Sequence, residues 1–217
     1  MIAPVGRQPY IAIVVGTGYR AHPLNTYIQD RIYMIKDTDI FAAPQTYVTI
    51  DEGDMFDATD NTIGEGNATQ QEAALGNLQT SSGWFIQLDD PVTGNWIGEK
   101  VLGRPLIVAG TAVVPTFVPN DPSGGLTCGP NDGVGYVYFL NVSDATPVAN
   151  YDNAGGEENL TRADRRVRLT RGGITPSPTL IIAEDSTGVT QAAGCVGTDC
   201  FPMPNPRVPT KTYWFEF

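Results

Sequence analysis

At 217 residues, 41% of them hydrophobic, the chain can build one large β domain or two small ones. A formal net charge of −11 removes the electrostatic basis for gripping a phosphate backbone or an anionic lipid surface. With 24 glycines and 17 prolines the sequence is punctuated too often for long helices, and no apolar run reaches membrane-spanning length.

The opening Met1-Ile2-Ala3-Pro4-Val5-Gly6 has neither the charged n-region nor the apolar core of a signal peptide. That fits a cytosolic chain or the later part of a longer exported one. A start almost directly on a strand and an end on the aromatic run Tyr213–Phe217 leave raw edges, which favours a piece of a longer chain.

The stretch from Tyr10 to Asp37 admits two readings. In one, Ile11–Val15 is a buried strand, Gly16, Gly18 and Ala21 complete a G-x-G-x-x-A dinucleotide fingerprint, and Asp37 stands roughly 20 residues on to hold a ribose. That reading needs a helix from Gly18, whose first N–H groups would hold the pyrophosphate. Pro23 would sit in its second turn at a cost of about 3 kcal/mol, and it pushes His22 toward extended backbone. No strand-helix alternation follows elsewhere to supply a parallel sheet. The second reading is therefore preferred: Ile11–Val15 and Arg31–Lys36 are two strands joined by an irregular loop over Tyr19–Leu24. Arg20, His22 and Pro23 then act as structural residues of that loop. His22 is the single histidine, and no G-x-S-x-G elbow is present for it to serve. Arg20 and Arg31 are expected to pair with Asp30, Asp37 or backbone carbonyls.

Tyr47–Ile50 follows as a short strand. Residues 51–82 break the pattern as an acidic loop and helix insertion. Asp51, Asp54, Asp57 and Asp60 are the best local candidates for calcium, a cation that needs several oxygens on a flexible loop. The spacing of a calcium loop is missing, however, and a solvated acidic face is the preferred reading. Asn67 caps a short helix with Glu72, Ala73, Ala74 and Leu75 in its body.

Strand runs then return at Trp84–Leu88, Lys100–Val101, Leu106–Ala109, Ala112–Val118, Gly135–Val142, Val167–Thr170, Thr179–Ala183 and Thr212–Phe217. A tight turn is expected at Gly110-Thr111. Many of these runs alternate only loosely, as expected where both faces of a sheet are covered. Trp84 and Trp214 lie in strand runs and read as core, whereas Trp96 follows the turn Thr93-Gly94-Asn95 and is the surface-recognition candidate. Arg162, Arg165, Arg166, Arg168 and Arg171 form one basic cluster, read as a solvated face balanced by Glu157, Glu158 and Asp164, with docking of an acidic partner as the alternative. Polar, Gly/Pro-rich loops lie between Thr116 and Gly135 and between Asp144 and Arg166. Among the three cysteines, Cys195 and Cys200 can close a small disulfide loop, Cys128 can replace either partner, and buried or free thiols are the plainer alternative, since spacing does not fix connectivity. The sequons at Asn67, Asn141 and Asn159 carry little weight without a eukaryotic secretory context. The fold class is all-β: short antiparallel strands, long loops and one short helix.

Gly16–Leu24, Asp30-Arg31-Ile32-Tyr33 and Lys36-Asp37 resemble the propeller region of the PilC/PilY-type family, the tip-associated, adhesin-like factors of type IV pili. Asp54–Asn61, Gly83-Trp84-Phe85, Gly98–Leu106, Cys128-Gly129-Pro130, Gly173–Pro178 and Thr212-Tyr213-Trp214 continue the resemblance in the same order. It implies a modified β-propeller, with residues 1–217 forming the last two to three blades of a larger one. It also implies a non-enzymatic protein exported to the cell surface or pilus tip of a Gram-negative bacterium, associated with the outer membrane. Such a protein would contribute to pilus biogenesis, retraction control and adhesion. The implied partners are pilin or minor pilin subunits, a host or abiotic surface, and the upstream blades, with no nucleic acid and no membrane span. No cofactor is required. Calcium is an optional ligand, because some members bind it through an Asp-rich loop, although no D-x-D-x-D-G loop stands in this sequence. The alternatives are a carbohydrate- or calcium-binding extracellular propeller and, behind it, a dinucleotide-binding oxidoreductase using residues 16–21.

Overall fold

Short β-prone runs set between Gly, Pro, Asn and Asp turns give a chain whose regular structure is mostly strand. The computed structural model describes residues 8–39, 44, 46–120, 132–151, 160–184 and 190–203. In order, the elements are β1 (Ile11–Gly16), β2 (Arg31–Asp37), β3 (Phe56–Asp57), α1 (Thr62–Glu65), α2 (Ala68–Thr80), β4 (Gly83–Gln87), β5 (Lys100–Val101), β6 (Leu106–Val108), β7 (Thr111–Val118), β8 (Val134–Asn141), β9 (Arg166–Arg168), β10 (Thr179–Glu184), β11 (Thr190–Val196) and β12 (Asp199–Met203).

Among the described residues these strands make three open sheets, none closed into a barrel. The first runs β1-β2-β4-β3 and is antiparallel except for the short β3–β4 pairing. The second runs β5-β7-β8-β9, with β6 also paired to β7, and the third runs β10-β11-β12. Two hydrophobic clusters stack the sheets. Ile32, Met34, Trp84 and Ile86 of the first meet Ala112, Val114, Tyr138 and Leu140 of the second. From the opposite face of the second sheet, Val113, Val137 and Phe139 pack on Ala192, Val196 and Met203 of the third. The second sheet is thus the middle layer, so every residue of β7 is buried and the strand carries no charge and no alternating polar face. Trp84 crosses the first interface, its Nε1 donating to the Val142 carbonyl at 2.8 Å.

Several expectations are met and several shift. The helix is a full 13 residues, started by a reciprocal capping box in which Asn67 and Gln70 each accept from the other's backbone N–H, and it is preceded by the single turn of α1. The β6–β7 turn lies one residue earlier than expected. Ala109 and Gly110 (φ 48° and 84°) form the two-residue loop, and Val108 pairs with Thr111. Tyr47–Ile50 is not a strand; these residues lie exposed outside every sheet. Conversely, β11 and β12 are strands that propensity does not announce, because Thr-Gln-Ala-Ala-Gly-Cys-Val and Asp-Cys-Phe-Pro-Met are poor in β-branched residues. Their pairing with β10 and their packing on the middle sheet place them there. Thr212–Phe217, Cys128-Gly129-Pro130, Glu157, Glu158 and Asn159 lie outside the described residues.

Candidate functional site

The loop between β1 and β2 decides between a phosphate cradle and a packing joint. No helix follows Gly18, and β1 and β2 are antiparallel, with Ile13 opposite Ile35. The two glycines serve close packing instead. A Cβ on Gly16 would fall 2.3 Å from the Val101 side chain, and one on Gly18 would fall 2.2 Å from the Val101 carbonyl oxygen. Val101 N donates to the Thr17 carbonyl at 2.9 Å, and the Arg20 guanidinium donates to the Leu102 carbonyl. Asp30 is buried and accepts from the Thr17 hydroxyl at 2.8 Å. The dinucleotide reading is overturned here, since the groups that would hold pyrophosphate are pressed against β5. His22 lies on the surface with its ring 4.8 Å from that of Tyr19, and Pro23 follows it in the same turn. Arg31 donates to the Gln29 carbonyl at 2.9 Å, as expected of a backbone partner, and pairs with Glu52 at 3.2 Å in place of Asp30 or Asp37.

Lys100 is fully buried across this joint, its Nζ donating to the carbonyls of Asn25 (2.5 Å) and Gly98 (2.7 Å). Burial lowers its pKa, with the Asp30 charge acting against that shift.

The four aspartates of the acidic segment do not converge. The Asp54 carboxylate accepts from the Asp51 backbone N–H at 2.9 Å, and Asp57 accepts from the Thr59 N–H and hydroxyl. Asp60 is almost fully exposed, 3.6 Å from Arg162. Among the described residues no group of three or more His, Cys, Asp or Glu side chains is placed to hold a metal ion.

The strongest polar cluster is the basic run Arg162–Arg166, expected to be a solvated face and found largely buried. Arg165 and Arg166 are buried, and Arg162 is half-buried. Arg166 is bound to Glu99, which is completely enclosed, and reaches Asp90 at 3.1 Å while lying 4.3 Å above the Tyr136 ring. The Glu99 carboxylate also accepts from the hydroxyls of Thr116 and Tyr138. Burial pushes the Glu99 carboxyl upward against the pull of Arg166 and the two hydroxyls. Burial works to lower the Arg166 pKa, yet Glu99 outweighs it and the guanidinium holds its proton more tightly than usual. Arg165 donates to the carbonyls of Ala58 and Thr59 and to the Asn61 side chain, which ties the second sheet to the loop after β3. Burial and the neighbouring Arg162 lower its pKa to about 10. Arg162 in turn binds Asp89. The array is a fixed clamp between the first and second sheets. One signal for it was present in the sequence: Glu99 and Lys100 sit between Gly98 and an apolar strand, where charges are out of place unless paired.

Cys195 and Cys200 face each other across the β11–β12 ladder and are joined by a disulfide. Trp96 is 43% exposed, just after a turn in which Asp90 accepts from the N–H groups of Val92 and Thr93. The outward face of the first sheet carries Ile13 beside Ile35 and Val15 beside Tyr33. Ile13 and Val15 are 44% and 43% exposed. Along that face lies a groove of about 860 Å³, bounded opposite Ile13 and Ile35 by Val48 and Ile50 and flanked by Asp37 and Asp39.

No protein-family model matches the chain, and no curated protein matches it. Among solved structures it is similar to the Pseudomonas aeruginosa PilY1 C-terminal domain, with a TM-score of 0.58 and 12% sequence identity. The superposition covers 91% of this chain and 42% of that one, so the chain spans less than half the length of the solved domain. At that identity the likeness speaks for the fold: the open, mostly antiparallel sheets are arranged as in that domain.

Proposed function

We propose that the chain is a non-enzymatic contact module of a type IV pilus-associated surface protein, forming two to three blades of a larger, propeller-like β assembly. The carrying observation is the fold likeness to the PilY1 C-terminal domain over 91% of the chain. Stacked sheets support the reading. The middle sheet is covered on both faces, while the first sheet keeps aliphatic side chains on its outward face, a surface of the kind that another sheet or a partner protein covers. The disulfide between Cys195 and Cys200 suits an exported protein in an oxidising compartment. On this reading the module acts at the cell surface or pilus tip of a Gram-negative bacterium. Its partners are upstream blades, pilin or minor pilin subunits and a host or abiotic surface, and its effects fall on pilus assembly, retraction and attachment. No cofactor is needed. Calcium is an optional ligand, tested by a thermal-shift titration with calcium and EDTA, in which stabilisation is expected only where a site forms.

A sugar-binding reading rests on Trp96, whose exposed indole follows a turn braced by Asp90, and a glycan array comparing Trp96→Ala with the parent tests it. The deciding experiment for the main reading is deletion of the coding gene in its source bacterium. Surface pili, twitching and attachment should fall together. Unchanged values for all three would refute the pilus assignment.

A further inference from the structure

The groove on the first sheet has the size and the lining of a small-molecule site. Its volume is about 860 Å³, within the roughly 300–1,000 Å³ typical of ligand pockets. Ile13, Ile35, Val48, Ile50 and Leu78 supply aliphatic surface to its walls. Much of that surface is wet, since Val48 is 85%, Ile13 44% and Ile50 43% exposed. It is apolar area that an occupant would remove from water.

The polar lining groups are matched unevenly. Lys36 Nζ donates to the carbonyls of Leu78 (2.5 Å) and Ser81 (2.9 Å). Ser81 Oγ donates to the carbonyls of Leu78 and Gly83, and Gln8 Nε2 reaches the Thr38 carbonyl at 3.4 Å. These donors are turned onto the protein's own backbone. The carboxylates of Asp37 and Asp39 also line the groove and are far less occupied. Asp37 accepts the Asp39 backbone N–H at 3.0 Å, and Asp39 accepts the Thr38 hydroxyl at 3.4 Å. Neither is ion-paired among the described residues. A carboxylate offers about four lone-pair sites, so both keep room for a charged donor.

We propose that this groove binds a small amphiphilic amine, with its ammonium held by Asp37 and Asp39 and its hydrocarbon chain laid against Ile13, Ile35 and Val48. Charge complementarity selects the head group, because a carboxylate-headed amphiphile of equal length would meet two like charges. A net charge of −11 draws any cation toward the surface, so the hydrocarbon contact is what makes the site specific. Side chains supply every contact, and the pairing of the sheet edge does not enter. The site goes beyond the pilus reading and stands or falls without it.

Isothermal titration of the 217-residue chain with n-octylammonium, n-octanoate, n-octanol and n-butylammonium provides the test. Octylammonium should saturate one site and bind about ten-fold or more tighter than octanoate, the gap narrowing with salt. Butylammonium should bind about ten-fold or more weaker, because each buried methylene tightens binding by roughly two- to four-fold. Methyl resonances of Ile13, Ile35 and Val48 should shift as octylammonium is added. Asp37→Asn with Asp39→Asn should lower octylammonium to the affinity of octanol. Val48→Lys, at a position too exposed to matter for folding, should abolish binding, and both variants should keep the parent circular dichroism spectrum. Octanoate or octanol binding as tightly as octylammonium overturns the proposal. Butylammonium matching octylammonium, or binding unchanged in either variant, leaves only diffuse charge attraction and overturns it too. Tighter binding of Nα-acetyl-lysine methylamide than of octylammonium would assign the groove to a protein side chain, with the same result. Amine capture alongside normal pili after gene deletion would sink only the pilus assignment, and the reverse pattern only the amine site.

Discussion

Glu99→Leu probes the buried ion pair of the second sheet on which the clamp is built. The substitution removes a carboxylate that is fully enclosed, leaving the Arg166 guanidinium, the Thr116 hydroxyl and the Tyr138 hydroxyl without their acceptor. Removing one partner of a buried ion pair costs about 3–5 kcal/mol, because the remaining charge stays buried and uncompensated. Arg166 keeps Asp90 at 3.1 Å and the Tyr136 ring at 4.3 Å, which places its own share near the lower end of that range. Two stranded hydroxyls add roughly 1 kcal/mol each, so the whole loss should be about 4–5 kcal/mol. Urea unfolding followed by the fluorescence of buried Trp84 reports it. With a slope of about 2 kcal/mol per molar, the midpoint should fall by roughly 2 M. Adding Arg166→Met should return more than about 1 kcal/mol of the loss, since the orphaned charge goes with it. Salt should leave the coupling nearly unchanged, because the pair is shielded from solvent ions. A single-mutant loss below about 1 kcal/mol, or a double mutant as unstable as the two singles summed, would refute a coupled buried pair.

Gly18→Ala should destabilise by about 1–3 kcal/mol, through the clash of its Cβ with the Val101 carbonyl; wild-type stability in calorimetry would contradict the packing role. Replacing Cys195 and Cys200 together by serine should cost about 2 kcal/mol for so short a loop, read as a lower melting temperature, whereas an unchanged melt would show that the crosslink adds nothing. Burial raises the pKa of Tyr151 to about 12 and that of Tyr138 as well, from an unfolded value near 10. A raised folded pKa gives a contribution that is whole below pH 10 and lost as pH climbs through the folded value, so stability should decline between about pH 10 and 12. Lys100, lowered by burial, acts in the opposite direction over the upper part of the scale. Tyr151→Phe should flatten the alkaline decline, and a decline of unaltered slope would remove Tyr151 from its cause. Asn67→Ala should cost about 1 kcal/mol through loss of the α2 capping box, and an unchanged urea midpoint would count against the cap.

The middle sheet defines what the module can present. With both of its faces covered, β7 has no free surface and β8 is buried except in part at Tyr136 and Asn141, so recognition falls to the outer sheets and to the loops between strands. The basic residues that the sequence offers for an acidic partner are largely consumed inside, where Arg162, Arg165 and Arg166 bind the chain's own carboxylates and carbonyls. Ile13 and Val15 on the first sheet and Ile181 and Ile182 on the third remain exposed to meet a partner.

Local chemistry was enough to write the all-β character, most strand positions and the Asn67 helix start, because each depends on neighbours within a few residues. Pro23 in place of a second helical turn already argued against a phosphate cradle, and that reasoning needed no partner strand. Pairing across distance was a different matter. Tyr47–Ile50 has strand-forming residues and no partner in any sheet, whereas Thr190–Val196 has weak propensity and two partners, one on either side. Hydrogen-bonded neighbours decide a strand, and a sequence does not carry their positions. The same holds for charge. Glu99 and Arg166 are 67 residues apart, and only the strand order of the second sheet, with Glu99 leading into β5 and Arg166 opening β9, brings them together in a space where neither is stable alone.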